Sequence, residues 1–584
     1  MAGKQRFGYE VSMGRKVKFL WIAVILLLPI FPLSGLLYGV DVSDVGLSIN
    51  QYRFCFQDIG SVYLPILLTE VIGAIWFQIL GWIGFPTYLG TEILWVLAIY
   101  YMCFLSWKIY RKYRNDDWIY PALCIAILFA KCNFHYFIYA TGVAVMSMTA
   151  LYFLILALNE EKCWMLGFST FFLVLACLCK VSSVFQFAVF AVLFYDLYKK
   201  KNTRYFWRQM LSCVVGGLVG LLFAFVLIQL TCGYKEYGQM LVEMFLYAGN
   251  SQDGHTLGNM VMSNVKGAVR GLLLIGVAGI CYVAAQKVKV FKEVIRYGTP
   301  VVVSGLLIGK LAGAEKLPGI SAIYAVLENY INALAIMVAM IYVCMFFVLK
   351  DKEYDQKYKN LVLASGLLTV LMPLGSNTGI QHVCNEAFFV IPVMVVLVTD
   401  KIKKLETGCV GKKTKYPTAG TVLICAMALW CVGMTAYQSS YMTRAYYENK
   451  DQAKESSIEE LKYMKYDAQV MDELEDITAY LREYAGGERK LIVGGAAPIL
   501  NYLSGIPPYN EGCGGWIETE FITKEQIRQQ LEDVEVYPIV VLCKTAIEEK
   551  QPKVAVVAQF VEDNDYELTY QTAEYSVYLP ADGR

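Results

Sequence analysis

Chemistry in this sequence starts with one carboxylate. Asp44 follows the first long apolar run by a few residues, in the stretch Asp41-Val-Ser-Asp-Val-Gly-Leu-Ser-Ile-Asn-Gln-Tyr52. A carboxylate held at a membrane surface can accept the proton of an attacking hydroxyl, and such general-base help is worth roughly 10²–10⁴-fold in rate. Val45, Ile49, Tyr52 and Phe56 recur at helical spacing, which predicts a surface helix over 44–57. Ser43 or Asp44 could equally cap that helix. Asp41 lies one turn earlier and is the second candidate for the base.

Cations are the natural counterpart. Lys180, Arg270 and Lys310 fall near the ends of apolar runs, where a charge is costly and is a functional candidate. Each can also snorkel to the surface. The three histidines are His135, His255 and His382. His382 closes the polar stretch Gly375-Ser-Asn377-Thr-Gly-Ile-Gln-His382, where Gly and Asn most simply supply turn conformations. Asn377 and His382 are also candidates for hydrogen bonding a polar ligand. Glu386 enters an apolar run, so it needs a partner or a cavity. No zinc spacing of Cys and His occurs, and no metal ligands are assigned. Of the 17 cysteines most sit in apolar runs, Cys103, Cys124, Cys177, Cys213 and Cys344 among them, where they act as small hydrophobes.

These residues are carried by a chain made for lipid. Its 584 residues are 57% hydrophobic and 17% charged, against about 25% charged in soluble domains. The net charge of +1 argues against a nucleic-acid partner. Apolar runs predict spans near 18–40, 89–108, 118–134, 142–158, 164–180, 182–199, 211–231, 267–285, 299–313, 329–349, 360–375, 386–400 and 418–438. The first follows a basic N-terminus, exceeds a signal-peptide core and lacks a cleavage signal, so it is expected to remain as an anchor. The run 62–82 is ambiguous. Counting it as a span puts nearly every later basic loop outside, against the positive-inside tendency. It is therefore read as in-plane or re-entrant, which fits Pro65, Glu70 and Gln78. About thirteen spans follow, with the N-terminus cytoplasmic and the C-terminal part extracytoplasmic in a multi-pass cell-membrane protein.

From Tyr441 the composition turns soluble, which divides the chain into 1–440 and 441–584. Helical spacing covers 469–485, strands read at 490–493 and 536–542, helices at Pro498 and 554–560, and an alternating strand at 566–578. That order suggests a small α/β layer. Gly494-Gly495 lacks the spacing of a nucleotide loop and reads as a turn.

The plan resembles the GT-C superfamily of membrane glycosyltransferases. The residues that carry the resemblance are Asp41 to Tyr52, the segment Tyr63-Leu-Pro65 through Gly81, and Pro498-Ile-Leu-Asn-Tyr502-Leu-Ser-Gly505. Lys180 also resembles a lysine that follows a mid-chain span in the family. Val45 stands where a second acid is common, which leaves a divalent metal possible without assigning one. The resemblance implies a polytopic α-helical membrane domain with an outer α/β domain. It implies a polyprenyl-linked sugar donor drawn from the membrane lipid, a glycan, lipid or protein acceptor, and inversion with Asp44 or Asp41 as base. Lys180, Arg270 and Lys310 would bind the donor phosphate; His382, Asn377 and Glu386 would bind acceptor or sugar. The other readings are a lipid or glycan flippase and a non-catalytic scaffold with an outer binding domain. A flippase commonly shows internal repeats with broken helices, and no such halves are visible here.

Overall fold

The computed structural model describes residues 28–113, 119–131, 136–250, 257–288, 293–311, 354–375, 452–519 and 522–581, with isolated positions between 289 and 434. Five helical segments among them are long and apolar enough to cross a membrane.

The expected first span does not continue to residue 40. Residues 28–37 form turns and a single 3-10 turn, Phe31–Leu33. Pro29, Pro32 and Gly35 account for this, since proline removes a backbone donor and clashes with the preceding turn. The chain then enters α1 (Asp44–Phe54), α2 (Leu67–Trp82) and α3 (Thr87–Arg111). Next come α4 (Ile119–Ala130), α5 (Tyr139–Glu160) and α6 (Met165–Cys179). The expected span 182–199 is two pieces: a ten-residue 3-10 helix, Val181–Phe190, and α7 (Ala191–Lys200). Beyond it lie α8 (Thr203–Thr231), α9 (Tyr234–Asn250), α10 (Leu257–Lys287), α11 (Thr299–Leu311) and α12 (Gln356–Leu371). The expected spans 386–400 and 418–438 lie almost wholly outside the described residues, as does most of 329–349.

Helices α3 and α5 run parallel in a fixed register. Tyr88 meets Tyr136, Tyr101 meets Thr149 and Lys112 meets Glu160, each pair 48 residues apart. That register resolves how α2 lies. Thr69, near one end of α2, packs with Cys179 against Gly142; Leu80, near the other, packs on Gly90. These positions are eleven residues apart on α2, about 16 Å along its axis. Yet Gly90 stands level with Ile138, only four residues or about 6 Å along α5 from Gly142. Between those ends, Tyr52 covers Gly73 and Phe77 stacks edge-on against Tyr502 at 5.9 Å. Although the segment Leu64–Trp82, which contains α2, has the length and apolarity of a span, α2 lies across one end of the bundle.

The C-terminal region is a mixed four-stranded sheet with flanking helices. Strands β1 (Ala453–Glu455) and β2 (Lys465–Asp467) form a separate antiparallel pair. Then follow α13 (Ala468–Arg482), β3 (Leu491–Gly494), α14 (Ile499–Ser504) and α15 (Lys524–Glu532). Strand β4 (Ile539–Cys543) leads to α16 (Lys544–Glu548) and α17 (Pro552–Asp563). Strands β5 (Tyr566–Gln571) and β6 (Tyr575–Pro580) close the chain. The order is β3-β4-β6-β5, with β3 and β4 parallel and the other pairs antiparallel. The single strand expected over 566–578 is this β5–β6 hairpin. Strand β4 begins only after Pro538, which lacks the donor a central strand needs.

Candidate functional site

Helix α1 is not a surface helix. Residues 45–52 are buried throughout, while Phe56, expected on the apolar stripe, lies past the end of the helix and is exposed. Val45, Ile49 and Tyr52 join one apolar core with Tyr88, Ile138 and the C-terminal residues Ile499, Leu500 and Tyr502. The opposite face is covered because the C-terminal region closes on it. Gly46 lets the backbone of Ile499 approach so near that a Cβ there would stand 2.9 Å from Ile499 N. Asn50 Nδ2 donates to Gly514 O at 2.7 Å, and the Gly512 and Gly514 amides donate to Gly60 O and Ser61 O at 2.9 and 2.8 Å. Arg53 donates to Tyr502 O, and Lys490 pairs with Asp58 at 2.6 Å. The C-terminal region is thus a roof over residues 42–61.

Under that roof the segment 41–44 is tightly organised. Asp41 Oδ1 accepts from Ser43 N at 2.8 Å and from Ser43 Oγ at 2.9 Å. The Asp41 N–H donates to Tyr88 Oη at 2.7 Å, and Tyr88 Oη donates to Tyr136 Oη at 3.0 Å. Ser43 occupies the N-cap position without a side-chain capping bond, and Asp44 is the first residue of α1, exposed where the eight residues after it are buried. Asp41 therefore braces the turn, and Asp44 is exposed at the start of α1. Burial pushes the Tyr52 and Tyr136 phenols well above their usual range, so both stay protonated donors. Tyr52 gives its proton to Phe137 O at 2.5 Å, tying α1 to the start of α5.

Lys180 caps the end of α6 at this same end of the bundle, half-buried, with Nζ 5.9 Å from the centre of the Tyr139 ring. The 3-10 helix that follows is long for its type, since runs beyond three or four residues are uncommon. Its Ser182 and Ser183 hydroxyls are buried without a hydrogen-bond partner among the described residues. Gly375, with φ +90°, packs directly on Ser182, and Gly379 packs on Ser263 of α10. The start of the polar stretch 375–382 thus lies between Lys180 and the helix that carries Arg270. Arg270 itself is exposed. Lys310 is placed only as part of α11. Asn377, His382 and Glu386, with His135 and His255, lie outside the described residues. Among the described residues no group of three or more His, Cys, Asp and Glu side chains gathers as a metal site.

Two features escaped the sequence reading. One is the glycine loop 512–515, whose Gly512, Gly514 and Gly515 take φ of +71°, +61° and +85°; a side chain at Gly514 or Gly515 would clash with α1, and one at Gly512 with Met240 of α9. Three glycines within four residues were the available signal. The other is Glu92, an acid inside an apolar run, now found buried beside Tyr136 and Lys131. A lone acid in such a run marks a candidate.

No family model matches this chain, and no curated protein matches it. Among solved structures it is similar to ArnT from Cupriavidus metallidurans bound to undecaprenyl phosphate, at 10% identity and TM-score 0.49 over 97% of this chain and 98% of that one. The apo form of that protein is similar at 11% identity and TM-score 0.44, over 96% and 97%. The Archaeoglobus fulgidus oligosaccharyltransferase in complex with Zn and sulfate is similar at 13% identity and TM-score 0.45, over 95% of this chain and 73% of that one. With TM-scores below 0.5, these three likenesses assign no activity to this chain.

Proposed function

We propose that this chain is a GT-C-type membrane glycosyltransferase. It moves a sugar from a polyprenyl-phosphate or polyprenyl-diphosphate carrier to a hydroxyl of a cell-envelope glycan, lipid or protein. The observation that supports this most is the exposure of Asp44. It is a carboxylate at the end of a bundle of apolar helices, on a turn braced by Asp41 and roofed by a folded α/β region. A base in that place meets an acceptor from the aqueous side and a lipid-borne donor from the membrane side.

Asp44 accepts the acceptor hydroxyl's proton as its oxygen attacks the anomeric carbon. The bond from that carbon to the phosphate oxygen breaks on the opposite face, so the configuration inverts. The lipid phosphate departs with the electron pair, and Lys180 balances the charge it gains. Arg270, Lys310, Asn377, His382 and Glu386 remain candidates for the donor and acceptor subsites. Residues 1–440 form the membrane domain, and 441–584 form the roof on the extracytoplasmic side.

The test is transfer itself. Purified protein in liposomes is supplied with radiolabelled polyprenyl-phosphate and polyprenyl-diphosphate sugars and a panel of envelope acceptors. Label moving from lipid to acceptor is expected. Label that crosses the bilayer still attached to its lipid would instead make the chain a flippase.

A further inference from the structure

The brace on residue 41 continues into the bundle. The Asp41 N–H occupies the Tyr88 oxygen as acceptor, so the single Tyr88 proton is directed onward to Tyr136. Tyr136 hydrogen-bonds the carboxyl of Glu92, one turn beyond Tyr88 on the same face of α3. Glu92 is 2% exposed, and its Oε2 has no hydrogen-bond partner among the described residues. The nearby positive charge is Lys131, itself 2% exposed. Lys131 donates to both the backbone oxygen and the hydroxyl of Ser34, in the turn that leads out of the first apolar run. The chain of bonds has one direction: backbone amide, Tyr88, Tyr136, carboxylate. Both ends of the segment 34–41 are tied to it, one through Ser34 and Lys131 and the other through Asp41.

A buried acid is costly unless something requires it. The geometry points to Glu92 as a positioning residue that, through Tyr136 and Tyr88, holds residue 41 and hence the 41–44 turn that presents Asp44. Glu92 touches no reacting atom in this scheme. Its oxygen terminates the bond chain, so any group accepting there serves, charged or not. The consequence for catalysis rests on the proposed glycosyl transfer; the hold on the turn does not.

Two readouts keep these apart. The first is amide hydrogen exchange across 38–46 in the full-length protein in detergent. Tyr88→Phe removes the acceptor of the Asp41 N–H, and exchange at that amide is expected to rise by roughly tenfold. Tyr136→Phe and Glu92→Ala are expected to raise it less, and Glu92→Gln to leave it near wild type because the amide oxygen still accepts. The second is sugar transfer. Tyr88→Phe is expected to lower kcat by roughly two- to tenfold with the donor KM unchanged. Adding Glu92→Ala to Tyr88→Phe is expected to lower it no further, since the chain is already cut. Wild-type exchange in Tyr88→Phe overturns the inference, as do losses from Tyr88→Phe and Glu92→Ala that multiply. Should Glu92→Ala fail to fold, Tyr136→Phe and Glu92→Gln carry the same comparison. The expected exchange pattern in a wild-type protein that transfers no sugar would uphold the positioning and reject the reaction.

Discussion

Gly46→Ala tests the closure of the C-terminal region on α1 through a contest of two opposing effects. Gly46 lies inside α1, and replacing a helix-interior glycine with alanine favours the helix by about 1 kcal/mol. Against this, the new Cβ would stand 2.9 Å from both the backbone nitrogen and the Cβ of Ile499. Backbone cannot rotate away as a side-chain tip can, so α1 and α14 must separate. Overpacking of this kind costs about 1–3 kcal/mol, and a clash against backbone belongs in the upper part of that range. The net expectation is a loss of about 1–2 kcal/mol. It should appear as a thermal midpoint lower by a few degrees and as faster proteolytic release of the C-terminal region. Gly81→Ala is the control. Gly81 also lies in a helix, α2, and a Cβ there meets nothing within 4 Å, so that variant should be as stable as wild type or slightly more. If Gly46→Ala behaves like Gly81→Ala, the close approach of Ile499 to α1 is wrong.

Three further outcomes follow from named contacts. Lys490→Ala and Asp58→Ala, taken through a double-mutant cycle, should show coupling below about 1 kcal/mol that shrinks with salt, because the pair is 38% and 22% exposed; a larger, salt-insensitive coupling would contradict this. Burial pushes the Cys513 thiol up to about 11 and the Cys543 thiol up to about 12, so both stay protonated at neutral pH. Neither should react with maleimide at pH 7–8 until the protein is denatured, and rapid native labelling would show the C-terminal core to be open. A reporter fused after Lys112 should be cytoplasmic and one fused after Tyr441 extracytoplasmic; both on one side would refute the sidedness drawn from the basic loops.

The legible parts of the fold were those governed by local pattern. Helices α3, α5, α6 and α13 sit within a few residues of their hydrophobic periodicity, since burial of an apolar face leaves a direct imprint on spacing. The tertiary features were hidden. The apolar stripe Val45, Ile49, Tyr52 was read correctly, but the burial of Gly46, Leu47, Asn50 and Gln51 was not, because it depends on a region some 450 residues further along the chain. The run 181–190 has the hydropathy of an α-helix, and nothing in its composition distinguishes the 3-10 winding it adopts. The in-plane reading of 62–82 rests on charge in distant loops, with Pro65, Glu70 and Gln78 in agreement. In the site, the choice of Asp44 over Asp41 rests on position and on the family resemblance; the hydrogen bonds of Asp41 to Ser43 were not legible in the sequence.

Asp44→Asn is the most direct test of the proposed chemistry. Asparagine keeps the size of the side chain and suits a helix N-terminus as well as aspartate does, but it lacks the proton affinity a base requires. Transfer from a radiolabelled polyprenyl-linked sugar is to be measured beside thermal stability, with Asp41→Asn in parallel. The expected result is unchanged stability in Asp44→Asn, with transfer lower by roughly two to four orders of magnitude. Asp41→Asn should be milder, its amide oxygen still accepting from Ser43. Near-wild-type transfer by Asp44→Asn would contradict the assignment of Asp44 as the base.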